Sequence, residues 1–237
     1  YIMYIESKGG LMFNKLYDFF KEASERVIVS LAERSLELFG HEKFLTDEKE
    51  FPEGKGFLSR IGVTLEQLKV QNLGEPFVFW LKQGKEMKDI KRILIVENLS
   101  FFYTCVKKLE SEQLDYEPEL IIYGAGKQIE SSFSFFSLLF PEKPYLFYYA
   151  GDLDAEGYSI LGRLTNRYSD CSIQPALKIY RKMLEYVHQA NEQPKKQVKD
   201  RNHRDAFLAW FTEEEQKTLL TLWEEEKRIP QEVLTIE

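Results

Sequence analysis

Tyr145-Leu146-Phe147-Tyr148-Tyr149-Ala150-Gly151-Asp152-Leu153-Asp154-Ala155-Glu156-Gly157 joins an apolar aromatic run to the start of a periodic one. The run Tyr145 to Tyr149 predicts a buried strand, and the spacing from Ala155 to Arg167 predicts a helix. Asp152, Asp154 and Glu156 fall at the junction. Open α/β sheets bind their ligands beyond the carboxyl ends of the strands, so the junction is where a site belongs. Carboxylates this close repel one another, and a cation relieves the repulsion. Side chains alternate along an extended chain, so Asp152 and Asp154 share a face and can point at one ion. Mg²⁺ suits them, with Mn²⁺ as a substitute, because it takes oxygen ligands and often needs only one or two carboxylates. The competing reading is helix capping, with Asp152 or Asp154 as N-cap and Glu156 at the positive end of the dipole. One cap accounts for one acid, not for all of them.

Outward from this stretch, β and α signals alternate. Ile93 to Val96 is a continuous apolar run, as expected of a parallel strand covered on both faces, and Glu97 follows it directly. Phe101 to Leu109 predicts a helix, Leu120 to Tyr123 a second strand, and Gln128 to Phe140 a helix stopped by Pro141. Ile173-Gln174-Pro175 reads as an edge strand, since proline denies it a central place. Ala176 to Ala190 and Glu213 to Lys227 read as helices, and Gln193 to Arg204 as a polar loop. This order implies an α/β fold, a Rossmann-like parallel sheet flanked by helices with right-handed crossovers. Glu97 alone reads as readily as a solvated charge at a strand end. Where its strand adjoins that of Asp152, the acids converge on one sheet edge and make a cage for a hard cation.

The N-terminal part differs. Gly10 to about Gly40 is helical by pattern, interrupted by Val27-Ile28-Val29, with Ser30 capping a helix Leu31 to Phe39 that Gly40 closes. Lys49 to Lys55 reads as a loop, Thr64 as the start of a short helix, and Phe77 to Trp80 as a strand. The polar segment Lys82 to Lys88 is the expected boundary. Residues 1–88 then form a smaller, mainly helical, winged-helix-like unit, and residues 89–237 the larger α/β domain. A plain helical extension is the alternative for the first.

The chain has 237 residues, is 43% hydrophobic and carries a net charge of -7. No apolar run approaches the roughly 20 residues of a membrane helix, so no membrane span is expected. The acidic balance gives no bulk attraction to nucleic acid; DNA contact must use local basic clusters. Two are present: Lys82, Lys85, Lys88, Lys91 and Arg92, and Lys195, Lys196, Lys199, Arg201 and Arg204. A solvated loop is the alternative for each. Gly124-Ala125-Gly126-Lys127 lacks the earlier glycine and the Ser or Thr of a Walker loop. Its backbone and Lys127 can still meet a phosphate, or simply make a tight turn. Asp152-x-Asp154-x-Glu156-Gly157 opens like a calcium loop, but its last ligand position is Arg163. Cys105 and Cys171 have no metal-binding spacing, and read as reduced thiols of a cytoplasmic protein. Tyr1-Ile2-Met3 is neither an initiator start nor a signal peptide, as expected of a fragment.

Ile95-Val96-Glu97-Asn98, Tyr123-Gly124-Ala125-Gly126-Lys127 and Gly151 to Gly157 together resemble the Toprim domain. The version is most similar to the JetD family, the nuclease subunits of bacterial Wadjet anti-plasmid defence systems, themselves related to the A subunit of type IIB topoisomerases. Glu33 to Leu45 and Arg228-Ile229-Pro230-Gln231-Glu232 resemble that family's flanking segments, so the likeness covers about residues 24 to 237. It implies a Mg²⁺-dependent DNA endonuclease in which Glu97, Asp152 and Asp154 hold the metal, Glu156 assists and Glu232 joins the cluster. It also implies a homodimer acting on double-stranded, circular DNA presented by an SMC-type Wadjet complex. No tyrosine here is matched to the topoisomerase nucleophile, since Tyr1, Tyr4 and Tyr17 precede the matching region; activated water is the expected nucleophile, with a partner's tyrosine the alternative. Leu99 stands where the family often has a polar or basic residue. The alternative function is a non-catalytic module that binds DNA or a partner. Small-molecule phosphoryl transfer ranks last, for want of a lysine after a later strand.

Overall fold

The structure, a computed structural model, describes residues 8–21, 26–47, 49–71, 75–194 and 197–234. The chain divides into two compact units, Tyr1–Leu73 and Gly74–Glu237.

The first unit is mainly helical, as expected. Helices span Lys8–Lys21, Leu31–Phe39 and Pro52–Ile61. The second begins in a capping box: Ser30 Oγ accepts from the Glu33 N–H at 3.3 Å, and Glu33 accepts from the Ser30 N–H at 2.9 Å. It ends at Gly40, whose φ of 79° suits glycine. The expected loop Lys49 to Lys55 instead opens the third helix, because proline fits the first helical turn, where its missing N–H costs nothing. Thr64 starts only a turn. Thr64 and Gln67 exchange hydrogen bonds, but Lys69 adopts φ 52° and the chain leaves. It enters β2 (Val70–Gln71), which pairs in parallel with β1 (Val29–Ser30). Leu16, Phe19, Leu38, Phe44 and Leu68 form the core.

The second unit is α/β. Its sheet contains β3 (Val78–Leu81), β4 (Arg92–Val96), β5 (Leu120–Tyr123), β6 (Leu146–Ala150) and β7 (Ser172–Pro175), in the order β3-β5-β4-β6-β7. Every pair is parallel except the edge pair β3–β5. Because β3 pairs with β5 along its whole length, that strand belongs to the larger unit. The division therefore falls at Leu73, not in the polar segment Lys82 to Lys88. Ile93 to Val96 and Leu120 to Ile122 are fully buried, as their continuous apolar runs require. Pro175 lies on the edge strand β7.

Two expected segments differ. The stretch after Gly126 is broken into short helical pieces, α-helical only at Ile129–Ser132 and Phe136–Leu139. Its serines bond back to preceding carbonyls, Ser131 to Gln128 and Ser134 to Ser131, which bends helices. Within the expected loop Gln193 to Arg204, a helix Arg201–Leu208 begins, capped by Asp200. Further helices span Leu99–Glu110, Ala155–Arg167, Leu177–Leu184 and Glu213–Glu224. Among the described residues no helix is long and apolar enough to cross a membrane.

Candidate metal centre

β4 and β6 are neighbours, with Val96 opposite Ala150. Glu97 and Gly151-Asp152 thus leave the same sheet edge side by side, and the Glu97 N–H donates to Ala150 O at 3.0 Å. Gly151 gives the Glu97 carboxylate its room. A Cβ on it would lie 2.5 Å from Glu97 Oε2 and 3.0 Å from Tyr149 Oη. Its N–H donates to Tyr180 Oη at 2.9 Å, which ties the turn to the core.

Each acid has its own protein donors. Glu97 Oε2 accepts from the buried Tyr149 hydroxyl at 3.0 Å. Asp152 Oδ1 accepts from Asn98 Nδ2 at 2.8 Å and from the Gln231 N–H at 2.9 Å, while Oδ2 faces Arg228 Nη1 at 3.2 Å. Asp154 caps the helix Ala155–Arg167: Oδ1 accepts from the Gly157 N–H at 2.8 Å, and Oδ2 from Gln197 Nε2 at 2.7 Å. Capping and convergence are therefore not alternatives, since Asp154 caps with one oxygen and leaves the other toward Gln197. Gly157 completes the turn, because a Cβ there would lie 2.3 Å from Asp152 O.

Asp152 and Asp154 are only 6% and 4% exposed, and Glu97 is partly buried. Burial pushes the Glu97 carboxyl up to about 8, helped by the charges of Asp152 and Asp154 and opposed by the Tyr149 hydrogen bond. Burial likewise raises Asp152 to about 6, and Asp154 and Glu232 add to the rise, while the Gln231 N–H and Arg228 oppose it. These acids sense one another, and their charge is incompletely neutralised. That is the condition a divalent cation relieves. The donor set fits a hard ion, being all oxygen. The fit is not preformed: among the described residues no group of three or more His, Cys, Asp or Glu stands ready to hold a metal. Asp152 Oδ2 is turned to Arg228, and that contact must yield to an ion, while Asn98 and Gln197 hold the aspartates in place.

Glu156 has other business. It pairs with Arg163 at 2.7 Å and with Lys127 at 3.1 Å, and its N–H donates to Gln197 Oε1 at 3.3 Å. Lys127, expected to meet phosphate, is thus paired with an acid of the same edge. Ala125 and Gly126 take φ 52° and 61°, so the glycine turn is tight. In the second basic stretch, Lys199 donates to Trp223 O and pairs with Glu226, and Arg204 pairs with Asp205 over the Trp223 ring. Arg201 is exposed, while Lys195 and Lys196 lie outside the described residues, as do Tyr1 and Tyr4. The first stretch lies at the far end of the strands. Lys85, Lys88, Lys91 and Arg92 line a cleft of about 1150 Å³ with Lys143 and Tyr145.

Sequence reasoning missed Asn98, Gln197 and Arg228 as partners of the acids. The segment from Arg228 to Glu232 was singled out by resemblance alone. In the structure it straps the site: Ile229 bridges Leu153 through bonds of 3.0 and 3.3 Å, Gln231 Oε1 accepts from the Asn98 N–H at 3.0 Å, and Glu232 accepts from Ser100 Oγ at 2.9 Å. Gln231 is fully buried, and its Nε2 has no protein acceptor.

The family model described as "Wadjet protein JetD, C-terminal" matches residues 59–237. No curated protein matches the chain.

Proposed function

The chain belongs to the Wadjet JetD C-terminal family, and on that premise we propose that it is a Mg²⁺-dependent, Toprim-type DNA endonuclease subunit of a bacterial anti-plasmid system. The observation that carries this reading is the meeting of Glu97 with Asp152 and Asp154 at the carboxyl edge of two adjacent parallel strands. Glu97, Asp152 and Asp154 would hold the ion. Bound there, Mg²⁺ supplies Lewis-acid polarisation of a phosphodiester and a water of lowered pKa. The chain's own part is positioning. Asn98 and the Gln231 N–H keep Asp152 Oδ1 oriented, the Gly157 N–H keeps Asp154 Oδ1, and Tyr149 keeps Glu97. Burial and the neighbouring aspartates favour a protonated Glu97 at neutral pH, so as a ligand it would have to release that proton to an ion. Glu156, in the first turn of the helix that Asp154 caps, holds Lys127 and Arg163 close to the edge. Double-stranded DNA, an SMC-type partner complex and a second copy of the chain complete the proposal.

The test is plasmid cleavage in Mg²⁺ or Mn²⁺, wild type against Asp152→Ala, with and without the partner complex. Metal-dependent cutting by the wild type and none by the folded variant is expected; cutting by Asp152→Ala overturns the reading. One observation favours a second reading, a non-catalytic DNA- or partner-binding module: every acid is already engaged by a protein donor. Metal binding without nicking, partner included, would decide for it.

A further inference from the structure

We propose that Arg228 is a built-in counter-cation of Asp152, displaced by the divalent ion and thereby free to bind a phosphate of the DNA. This rests on the metal reading above.

The geometry of the pair is that of a replaceable partner. Arg228 meets Asp152 through one contact, Nη1 to Oδ2 at 3.2 Å. A settled arginine–carboxylate pair is usually a two-point fork at about 2.7–2.9 Å. The Nε of the same guanidinium is turned instead to Asn191 Oδ1, also at 3.2 Å. Asp152 does not depend on Arg228 for its orientation, because Oδ1 is held by Asn98 and by the Gln231 N–H. The arginine's partner, Oδ2, is the oxygen left for an ion.

The backbone beneath Arg228 stays put when the side chain swings. Arg228 lies in β9 (Lys227–Arg228), paired with β8 (Asn191–Glu192), and the next residue, Ile229, bridges Leu153 between Asp152 and Asp154. A guanidinium and a divalent ion on one carboxylate oxygen repel, so the two occupancies exclude each other. The displaced guanidinium remains beside the site, and its planar fork matches phosphate oxygens. Other described cations at this edge are committed elsewhere: Lys127 and Arg163 pair with Glu156.

The experiment is Mn²⁺ titration of the 237-residue chain without DNA, read by the electron paramagnetic resonance of free Mn²⁺. Arg228→Gln is expected to bind Mn²⁺ about tenfold tighter than the wild type, because a competing charge is gone. Arg228→Lys, which keeps the charge, stays within about twofold. In Ca²⁺, a short DNA duplex binds Arg228→Gln about tenfold more weakly than the wild type. Unchanged or weaker Mn²⁺ binding by folded Arg228→Gln overturns the proposal while leaving the metal reading intact. Unchanged duplex affinity overturns the phosphate role. Absence of Mn²⁺ binding in all three proteins overturns the metal reading and this proposal with it. Circular dichroism verifies folding, and Arg228→Met, which keeps the apolar stem, replaces the glutamine variant should that fail to fold.

Discussion

The Tyr149 hydroxyl donates to Glu97 Oε2 at 3.0 Å, joining the wall of the core to the acid at the end of the adjacent strand. The bond steadies Glu97 without restoring its ordinary acidity, because burial and the neighbouring aspartates outweigh it and the group titrates near 8. An unfolded glutamate titrates near 4.5. Between those values the unfolded state has shed a proton that the native state keeps, so stability falls as pH rises and levels off above about 8. Asp152 acts in the same sense between 3.8 and about 6. The metal-free chain is therefore expected to melt at a lower temperature at about pH 8.5 than at about pH 6. Glu97→Gln, still able to accept from Tyr149, removes most of that difference and is worth about 2–4 kcal/mol at the higher pH. Thermal melts of both proteins at both pH values measure it; an equal pH slope in the variant refutes it. Added Mn²⁺ should raise the wild-type melting temperature, more at the higher pH, because binding releases the same proton.

Gly151→Ala tests how tightly the turn packs on that pair. The new methyl would sit 2.5 Å from Glu97 Oε2 and 3.0 Å from Tyr149 Oη. The Glu97 carboxylate must shift to make room, which disturbs its bond to Tyr149. A destabilisation of about 1–3 kcal/mol in urea unfolding is expected, with a clear loss of Mn²⁺ binding. Wild-type stability and wild-type Mn²⁺ affinity in this variant would show that the turn does not pack tightly on the Glu97 carboxylate.

What was legible in the sequence had a local signature. Ile93 to Val96 and Leu120 to Ile122 are continuous apolar runs and became fully buried strands. Ser30, Glu33 and Gly40 bracket a helix by chemistry that acts over a single turn. Asp152 and Asp154 stand out as crowded like charges at a strand end, and both are buried there. What was missed acts at a distance. Gln197 reaches Asp154 from 43 positions away, and Arg228 reaches Asp152 from 76. No periodicity encodes a polar contact of that kind. The boundary was misplaced for a related reason: Val78–Leu81 reads as a strand, but only its partner Leu120–Tyr123 says which unit owns it. Local chemistry also misled at Pro52, which marks loops and helix starts alike.

Glu156 separates ligand from neighbour. Its carboxylate is spent on Arg163 and Lys127, so it is not expected to hold an ion. Glu156→Gln should keep wild-type Mn²⁺ affinity within about threefold and cost no more than about 1 kcal/mol of stability, as for other partly exposed ion pairs. Mn²⁺ titration and urea unfolding of the one variant give both numbers. A loss of Mn²⁺ binding as large as that of Asp152→Ala would place Glu156 among the ligands.

Gln197 bears on Asp154 in a way that separates folding from function. Asp154 uses Oδ1 to cap the helix Ala155–Arg167 and Oδ2 to accept from Gln197, while Gln197 Oε1 accepts from the Glu156 N–H. Gln197→Ala leaves the cap bond to Gly157 in place and removes both contacts of the amide. Stability is then expected to fall by only about 1 kcal/mol, the worth of a hydrogen bond. Asp154→Ala removes the cap as well and should cost about 1 kcal/mol more. For metal the order changes in kind. Asp154→Ala loses a ligand and should abolish Mn²⁺ binding. Gln197→Ala loses only the group that aims Oδ2, and should weaken binding severalfold without abolishing it. Gln197→Glu is the sharper variant. It places a further carboxylate against Asp154 Oδ2, which destabilises the metal-free chain by like-charge repulsion and strengthens Mn²⁺ binding. Melting temperature with and without Mn²⁺ reads both effects at once. A Gln197→Glu protein with wild-type stability and wild-type Mn²⁺ affinity would show that Asp154 Oδ2 does not face the ion.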